Sequence, residues 1–330
     1  MAQNLPHLPD WERLSTNIIR IMGGNPSKFT LQGTNTYLLG SGPSRILIDT
    51  GSGEKKWIDT VRAVLTSASA SPKPLHISTC LLTHWHHDHI GGVTDLERLT
   101  ADLNPGHELK VYKNLPTWNP DSLIDPSRVH DIHDGQEFVT AGGDGDGDDD
   151  SSSFAIQAIH TPGHAKDHMV FQITRSPDAS EVGALFTADN VLGHGTAVFE
   201  DLQLYLQSLD VMKRRVVGAR AYPGHGQFID DAVGKIDEYI AHRRMREEEA
   251  LNVLNDATGP KEVIVGKEWE SMEMVRVIYR HYPENLWEPA EKGLLMVLEK
   301  LRRDGRVVRV GASGSEGNRG KWRVSEKAAL

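Results

Sequence analysis

Short apolar segments alternate with longer segments of helical periodicity along the first two thirds of the chain. Turn residues bound each short segment, which is typical of β-strands. The predicted strands cover residues 18–21, 36–39, 45–48, 80–83, 109–112, 154–158, 169–173 and 184–186. Apolar residues at helical spacing predict helices at 56–66, 93–103 and 201–215. Strands followed by helices, twice over, predict an α/β (α+β) fold in which helices cover the outer faces of sheets.

The pattern changes after residue 226, where charged helical segments replace the strands. Helices are predicted at 230–256, 262–281 and 288–303. Residues 307–310 and 321–324 then read as strands, separated by a Gly-rich loop. Helices followed by strand, loop and strand predict a small winged-helix-like module. We therefore divide the chain into a catalytic domain, 1–230, and a helical, winged-helix-like module, 231–330.

Composition narrows the class of protein. The chain has 330 residues, 38% of them hydrophobic, so it can bury a sizeable core. Its one cysteine, Cys80, excludes an internal disulfide and favours a reducing compartment. No apolar run approaches the roughly 20 residues that a membrane span requires, so we expect a cytoplasmic protein without membrane association. A Gly/Asp/Ser stretch at 142–153 is predicted to be a surface insertion between two strands.

The densest group of metal-ligand side chains follows the strand that contains Cys80. The segment reads Thr-His-Trp-His-His-Asp-His-Ile-Gly-Gly and places four such side chains within six residues: His84, His86, Asp88 and His89. We predict that they lie on a loop at the strand's C-terminal end, where catalytic sites of layered α/β folds gather. Because imidazoles and carboxylates this crowded repel one another and lose hydration, they indicate a bound cation.

Three further candidate ligands each follow an apolar segment. His164 ends a Thr-Pro-Gly-His turn, Asp189 lies in Thr-Ala-Asp-Asn, and His225 lies in Pro-Gly-His-Gly. Each one alone is a weak indication, because a single His or Asp after a strand is commonly a turn residue. Together with the cluster, and in this order, they indicate a site for two metal ions.

The ordered motifs resemble those of the metallo-β-lactamase superfamily of hydrolases over roughly residues 15–230. An Ile-Asp-Thr-Gly segment containing Asp49 matches the early Asp motif of that superfamily. Segments 33–37, 187–193 and 196–202, with the C-terminal module, are similar to its lactamase-β-like-2 group. That group includes a mitochondrial endoribonuclease and fungal thioesterases that release non-reduced polyketides, such as atrochrysone carboxylic acid, from an acyl carrier protein. The resemblance implies a four-layer αββα fold.

The resemblance also implies a division of ligands between two metals. One metal would be held by His84, His86 and His164, the other by Asp88, His89 and His225, with Asp189 bridging both. This nitrogen and oxygen set suits two Zn²⁺ ions, although Mn²⁺ or iron could also bind. Two close cations would lower the pKa of a water toward about 7 and so supply hydroxide. Asp88 would then act catalytically by orienting the water or accepting a proton.

Four other residues lie near these motifs, and two of them have two interpretations each. Asp49 either orients a ligand histidine or caps a turn, and His168 either supports the site or begins a helix. His194, in a Gly-rich turn, is a candidate for substrate contact. Cys80 matches no ligand position, which departs from the dinuclear lactamases whose second zinc has a cysteine ligand. Antibiotic hydrolysis is therefore not expected.

The bond that is cleaved is predicted from leaving-group chemistry. The leaving thiol of a thioester has a pKa of about 8.5 and departs without a strong general acid, whereas the leaving oxygen of an RNA phosphodiester needs one. The net charge of −10 also disfavours RNA. Together with the resemblance to the fungal thioesterases, which implies the substrate class, this predicts a thioesterase that releases a polyketide acid from the acyl carrier protein of a non-reducing polyketide synthase. A single-strand endoribonuclease is the main alternative, and a glyoxalase II-like glutathione thioesterase is the weaker one.

The C-terminal module carries a set of basic residues that does not separate these functions. These basic residues could bind RNA, bind an acidic carrier protein, or form a solvated charged face. The set comprises Lys300, Arg302, Arg303, Arg306, Arg309, Arg319, Lys321 and Arg323.

Overall fold

The computed structural model describes residues 5–67, 75–140, 153–216, 220–255, 267–311 and 320–325. The chain forms two compact units. The first comprises Met1–Phe199 and Leu204–Ile236, and the second comprises Glu200–Gln203 and Asp237–Leu330. The Gly/Asp/Ser stretch predicted to be a surface insertion lies, up to residue 152, outside the described residues. No helix in the described part of the chain is long and apolar enough to cross a membrane.

A mixed seven-stranded sheet forms the first half of the catalytic unit, with its strands neighbouring one another in chain order. The strands are β1 (Trp11–Ser15), β2 (Ile18–Met22), β3 (Asn35–Leu39), β4 (Ser44–Ile48), β5 (His76–Leu82), β6 (Lys110–Lys113) and β7 (Val129–Asp131). Strands β1 to β4 pair antiparallel, and β4 to β7 pair parallel. The C-terminal ends of β4 and β5 therefore point to the same edge of the sheet.

A five-stranded sheet forms the second half. Its strands are β8 (Glu137–Thr140), β9 (Phe154–His160), β10 (Met169–Arg175), β11 (Leu185–Ala188) and β12 (Ala221–Pro223), in the spatial order β12-β11-β10-β9-β8. Strands β8 to β11 pair antiparallel, and β11 pairs parallel with β12. Because β11 and β12 run the same way, the turns that follow them also meet at one edge.

The two sheets pack face to face around a continuous apolar core. Tyr37 and Leu81 of the first sheet lie in one buried cluster with Phe154, Phe171 and Phe186 of the second. The rings of Tyr37 and Phe186 meet edge to face with their centroids 5.1 Å apart. Contacts of this kind between two inner faces fix the relative position of the sheets.

Helices cover the outer faces, as the amphipathic patterns predict. Helices α1 (Lys55–Thr66) and α3 (Val93–Leu103) bury Trp57, Val61 and Leu96 in a second cluster against the seven-stranded sheet. Helix α4 (Leu202–Arg215) buries Tyr205 and Leu209, and Ser208 Oγ donates a hydrogen bond to the Pro162 carbonyl. The αββα prediction is confirmed.

The second unit contains the helices and the hairpin predicted for the C-terminal module. Its elements are α5 (Ala232–Leu254, which begins in the first unit), α6 (Ser271–Ile278), α7 (Trp287–Arg303), β13 (Val307–Val310) and β14 (Lys321–Val324). Helix α7 buries Leu294, Leu298 and Leu301 along one face. Trp269 and Trp322 exchange backbone hydrogen bonds of 2.8 and 2.9 Å, which adds a bridge beside the hairpin.

The structure corrects several local predictions. The helix predicted at 262–281 is shorter, because the capping box between Glu270 and Glu273 starts α6 at Ser271 and the helix ends before Tyr279. Residues 262–266 lie outside the described residues. Strands β1, β7 and β8 were not predicted, since their short segments expose alternate or most positions and lack a long apolar run.

Candidate metal centre

Five of the seven predicted ligands lie on turns that follow four strands of the first unit. His84 and His86 follow β5, His164 follows β9, Asp189 follows β11, and His225 follows β12. The remaining two differ from prediction: Asp88 and His89 lie on the one-turn helix α2 (His87–Ile90), not on a loop. The buried side chains of His89 and Ile90 anchor this turn, and the pair Gly91 and Gly92 packs closely against the backbone of Ser52 and Thr50.

Three imidazole nitrogens converge at what we call the three-histidine position. His84 Nε2 lies 2.9 Å from His86 Nδ1 and 3.2 Å from His164 Nε2, and the last two atoms are 3.1 Å apart. Nitrogens held at about 2.0–2.1 Å around a tetrahedral zinc are separated by roughly 3.3 Å. The three side chains therefore have the spacing of ligands around one ion.

Asp88, His89 and His225 converge at what we call the His225 position. Asp88 Oδ2 lies 3.2 Å from His225 Nε2 and 3.6 Å from His89 Nε2. Asp189 Oδ1 lies 3.3 and 3.4 Å from the same two nitrogens, while its Oδ2 faces His164 Nε2 at 3.8 Å. Asp189 thus presents one oxygen to each position, as the sequence resemblance implies for a bridging ligand.

The two positions fit divalent cations. Among the described residues, three sets of ligand atoms lie within 4.8 Å of one another, and together they contain all seven predicted ligands. His89 Nε2 and Asp189 Oδ1 are buried, and no described side chain forms a hydrogen bond of good geometry with either atom. Buried polar atoms are rarely left in this state unless another ligand satisfies them.

Contacts on the far side of the rings fix which nitrogen faces inward. His89 Nδ1 lies 2.7 Å from Asp49 Oδ2 and donates to it. His164 Nδ1 donates to the Val198 carbonyl at 2.8 Å. The Thr83 hydroxyl has one hydrogen and lies 3.0 Å from the Asp49 carboxylate, so it donates there and accepts from His84 Nδ1 at 2.9 Å. Each inward nitrogen is left with its lone pair, as a metal ligand requires.

The electrostatics of the two positions differ. Burial, followed by the repulsion of neighbouring imidazoles, lowers the pKa of His86 to about 4. Burial also lowers the pKa of His84, well below its ordinary value, and that of His164. The three-histidine position is therefore uncharged at neutral pH and offers lone pairs.

Carboxylates dominate the His225 position. Burial favours the neutral form of Asp88, but His89 and His225 outweigh it and lower the pKa of Asp88 to about 2. Burial opposes a charge on His225 too, yet Asp189 and Asp88 raise its pKa to about 9. The carboxylates therefore stabilise positive charge in this position, which a metal ion would supply.

A cleft of about 480 Å³ opens above the ligands, and His86, Asp88, His164, Asp189 and His225 line its floor. One lip contains Lys28, Phe29 and Leu31, and the other runs from Leu192 to Val198. Phe29 and Val198 are 77% and 65% exposed. The sequence did not predict either lip residue, because an exposed Phe or Val in a turn has no periodic signal.

The remaining candidates lie around this cleft. His168 is buried, accepts a hydrogen bond from the Asp189 backbone N–H at 3.3 Å and contacts Thr161 Oγ1 at 3.1 Å, so it supports the Asp189 turn. It is absent from the described lining of the cleft. His194 lies exposed on the second lip, and His87 is exposed on α2 outside the ligand set. Cys80 is buried inside β5.

The chain belongs to the metallo-β-lactamase superfamily. Residues 29–225 match the family described as "Metallo-beta-lactamase superfamily", and residues 271–322 match the "Beta-lactamase associated winged helix domain". The winged-helix match covers α6, α7 and β13 and ends within β14, and it confirms the predicted character of the module.

Its curated relatives extend over nearly the whole chain. "Lactamase-like protein nscB" of Aspergillus fumigatus is 42% identical over 312 residues, which cover 92% of this chain and 83% of that protein. "Beta-lactamase-like protein 2 homolog" of Drosophila melanogaster is 39% identical and covers 94% of this chain and 95% of its own. The crystal structure of a beta-lactamase domain protein from Burkholderia ambifaria shares the fold at 17% identity, with a TM-score of 0.68 and coverage of 98% and 96%.

Proposed function

We propose that the protein is a metal-dependent thioesterase that releases a polyketide acid from the acyl carrier protein of a non-reducing polyketide synthase. Membership of a hydrolase superfamily supports the hydrolytic reaction. The observation that carries the proposal is the cleft, whose floor is lined by five of the seven converging ligand side chains and whose two lips bear exposed apolar side chains. Its volume of about 480 Å³ suits a small acyl group.

The ligand residues would hold two Zn²⁺ ions, with Mn²⁺ or iron as alternatives that the same donors accept. Bound ions would supply Lewis acidity and a water of lowered pKa. His84, His86 and His164 would bind the first ion and Asp88, His89 and His225 the second, with Asp189 shared. Asp49, Thr83 and the Val198 carbonyl hold the ligand rings in the tautomers that binding requires.

Asp88 is the carboxylate best placed for a catalytic role. Its side chain is 25% exposed and lines the cleft, whereas the Asp189 side chain is 12% exposed. Its Oδ2 faces His225 Nε2 at 3.2 Å, and a carboxylate has a second oxygen that can also accept a hydrogen bond or a proton. Asp88 would therefore orient the attacking water and hold its proton until the product leaves.

Phe29 supports an apolar acyl group as the substrate. The loop that carries it is ordered by hydrogen bonds: Ser27 Oγ accepts from the backbone N–H groups of Phe29 and Thr30, both at 3.1 Å, and Thr30 Oγ1 donates to the Asn25 carbonyl at 2.6 Å. Burying such a ring stabilises by about 1.5–3 kcal/mol. These hydrogen bonds hold the ring exposed beside the cleft. A bound acyl or aryl group that covers the ring would therefore be stabilised by this amount.

The distribution of cations favours a thioester over a phosphodiester. Lys28 is the one Lys or Arg among the described residues that line the cleft. In the C-terminal unit, Lys300 pairs with Glu247 at 2.7 Å and with Asp304 at 2.8 Å, and Arg302 pairs with Glu299 at 2.7 Å. RNA-binding surfaces need unneutralised cations along the phosphate backbone. Arg319, also predicted for the basic face, lies outside the described residues.

The proposal is tested with zinc-loaded protein and an aryl β-ketoacyl thioester on an acyl carrier protein. Free acid and carrier-protein thiol should appear together, and Asp88→Ala should abolish both. His87→Ala is the matched control, because His87 neighbours Asp88 but is exposed on α2 outside the ligand set. Cleavage of single-stranded RNA while the thioester survives would contradict the proposal. Faster hydrolysis of a glutathione thioester would favour the glyoxalase II-like alternative.

A further inference from the structure

Segment 33–37, which the sequence resemblance singles out, lies directly against the turn that carries His225. Asn35 at its centre is 1% exposed. Its side-chain Nδ2 donates two hydrogen bonds, to the Pro223 carbonyl at 2.9 Å and to the Gly226 carbonyl at 2.8 Å. Those carbonyls flank Gly224 and His225, so a single amide group joins both ends of the turn.

Three further contacts fasten the same turn to β3. The Asn35 backbone N–H donates to the Gly224 carbonyl at 2.7 Å, and the Tyr37 hydroxyl donates to the Pro223 carbonyl at 2.6 Å. Thr34 forms an isolated β-bridge with His225. A segment of the opposite sheet thus helps to hold the turn, together with the backbone hydrogen bonds from the Gly224 N–H to the Ala188 carbonyl and from the Gly193 N–H to the His225 carbonyl.

The outer nitrogen of the His225 ring has a longer polar contact than the outer nitrogens of the His89 and His164 rings. His89 and His164 have polar partners for Nδ1 at 2.7 and 2.8 Å. The nearest partner of His225 Nδ1 is the Gly33 carbonyl at 3.4 Å, which lies in the same segment as Asn35. Because the contact of its Nδ1 is long, the ring of His225 is oriented by its turn together with the two carboxylates that face its Nε2, Asp88 at 3.2 Å and Asp189 at 3.3 Å.

The turn also has little room to move independently of the other ligands. A Cβ added to Gly224 would overlap Asp189 Oδ1 and approach the His89 ring at 3.1 Å. A shift of a few tenths of an ångström therefore changes the spacing between His225, Asp189 and His89. Metal affinity depends steeply on such spacing.

We propose that Asn35 is a positioning residue for the His225 position of the metal centre. Its two N–H donors hold the Pro223 and Gly226 carbonyls, and through them the His225 ring, at ligand distance from Asp88 and Asp189. The inference rests on the metal centre of the proposed function but does not depend on which bond the enzyme cleaves.

The test compares Asn35→Asp with Asn190→Asp. Asn35→Asp keeps the shape of the side chain and removes both donors. Asn190 is the matched control, because it is also fully buried and its Nδ2 donates to the Thr161 carbonyl at 3.0 Å, at the start of the His164 turn. His225→Ala provides the reference spectrum of a centre that lacks the His225 position.

Metal-free proteins are titrated with Co²⁺, and binding is followed by the visible absorption of the ion. The unsubstituted protein should take up two ions per chain. Asn35→Asp should keep the affinity of the three-histidine position and lose about tenfold or more at the His225 position, as expected when an outer contact is removed. Its spectrum at one equivalent should match that of His225→Ala. Asn190→Asp should not show this selective loss.

Three results would overturn the proposal: unchanged affinity at both positions, an equal loss at both, or the same selective loss in Asn190→Asp. If Asn35→Asp does not fold, Asn35→Ser, which keeps one donor, decides the question. It should show a smaller loss at the same position, and unchanged binding would overturn the proposal. Cobalt uptake needs no substrate, so these outcomes are independent of whether a thioester is hydrolysed.

Discussion

The Asp49 carboxylate contacts both halves of the metal centre. It accepts directly from His89 Nδ1 at 2.7 Å, and through the Thr83 hydroxyl it fixes the His84 ring. Its other oxygen accepts from the Thr83 backbone N–H at 2.8 Å. Asp49 holds this place with a φ of 61°, a left-handed conformation that Asp and Asn tolerate better than most residues.

Asp49→Asn should therefore keep the backbone and weaken metal binding. The amide is a poorer acceptor than the carboxylate, so the His89 and His84 rings lose part of their restraint. We expect an overall zinc affinity about 10–100-fold lower, measured by competition with a chromophoric chelator. Asp59→Asn, exposed on α1, is the control. Equal affinities for the two variants would show that the Asp49 charge is not needed.

We expect the side chain of Phe29 to contribute to substrate binding. Phe29→Ala should raise KM for an aryl thioester by roughly five- to thirty-fold, the equivalent of about 1–2 kcal/mol of lost apolar contact. The kcat should stay unchanged, because Phe29 lies on the lip of the cleft and is not one of the metal-ligand side chains.

The same variant is assayed with an acetyl thioester, whose KM should not change. Val139→Ala is the control variant, since Val139 is similarly exposed but does not line the cleft. If Phe29→Ala alters KM equally for both thioesters, the aromatic lip does not select the acyl group.

At the scale of elements, helix α4 packs directly against the turn that carries His164. Tyr205 Oη donates to the Asn190 carbonyl at 2.6 Å, and Ser208 Oγ donates to the Pro162 carbonyl at 2.7 Å. Gly163 lies between these contacts with a φ of 131°, and a Cβ at that position would overlap the Tyr205 backbone. The turn can approach the helix only because residue 163 has no side chain.

Gly163→Ala should destabilise the protein more than Gly135→Ala does. Both glycines have positive φ, but Gly135 has no atom within 4 Å of an added Cβ. Gly135→Ala should cost about 1–2 kcal/mol for the backbone alone. Gly163→Ala should cost about 1–3 kcal/mol more through overpacking, measured by urea unfolding. If both variants lose a similar free energy of unfolding, helix α4 can move to accommodate the added methyl group without strain.

At the scale of the whole molecule, the metal centre joins the edges of two sheets. Ligands from turns of the seven-stranded sheet meet ligands from turns of the five-stranded sheet, and the shared core beneath them holds both sheets in place. A bound metal would therefore link elements that are distant in the chain, and we expect it to bind the folded state in preference to the unfolded one. The second unit contributes none of the predicted ligands.

Removal of metal should lower the thermal stability of the first unit. A ligand present at 100 times its Kd stabilises by about 2.7 kcal/mol, so a chelator should lower the Tm measured by calorimetry, and added zinc should restore it. His225→Ala should show a smaller response to the chelator. If metal analysis shows complete removal and Tm does not change, the centre is not coupled to folding.

Most of the secondary structure, the metal-ligand residues and the family of this protein could be predicted from the sequence alone. The strand and helix segments follow from periodicity, and the seven ligand residues follow from their order along the chain, which the structure brings together. The family follows from the same motifs. Each segment and each motif depends on neighbouring residues, and the order of the motifs is read along the chain, so none of these predictions requires knowledge of which distant parts meet in the fold.

Tertiary structure decided the features that depend on distant contacts. The inward nitrogen of His89 is set by Asp49, forty positions earlier, and the turn of His225 is held by Asn35, which is 188 positions from Pro223. The short helix α2 and the lips formed by Phe29 and Val198 likewise depend on how separate loops pack. Periodicity and motif spacing do not predict such contacts, because they form only when segments that are distant in the chain come together in the folded protein.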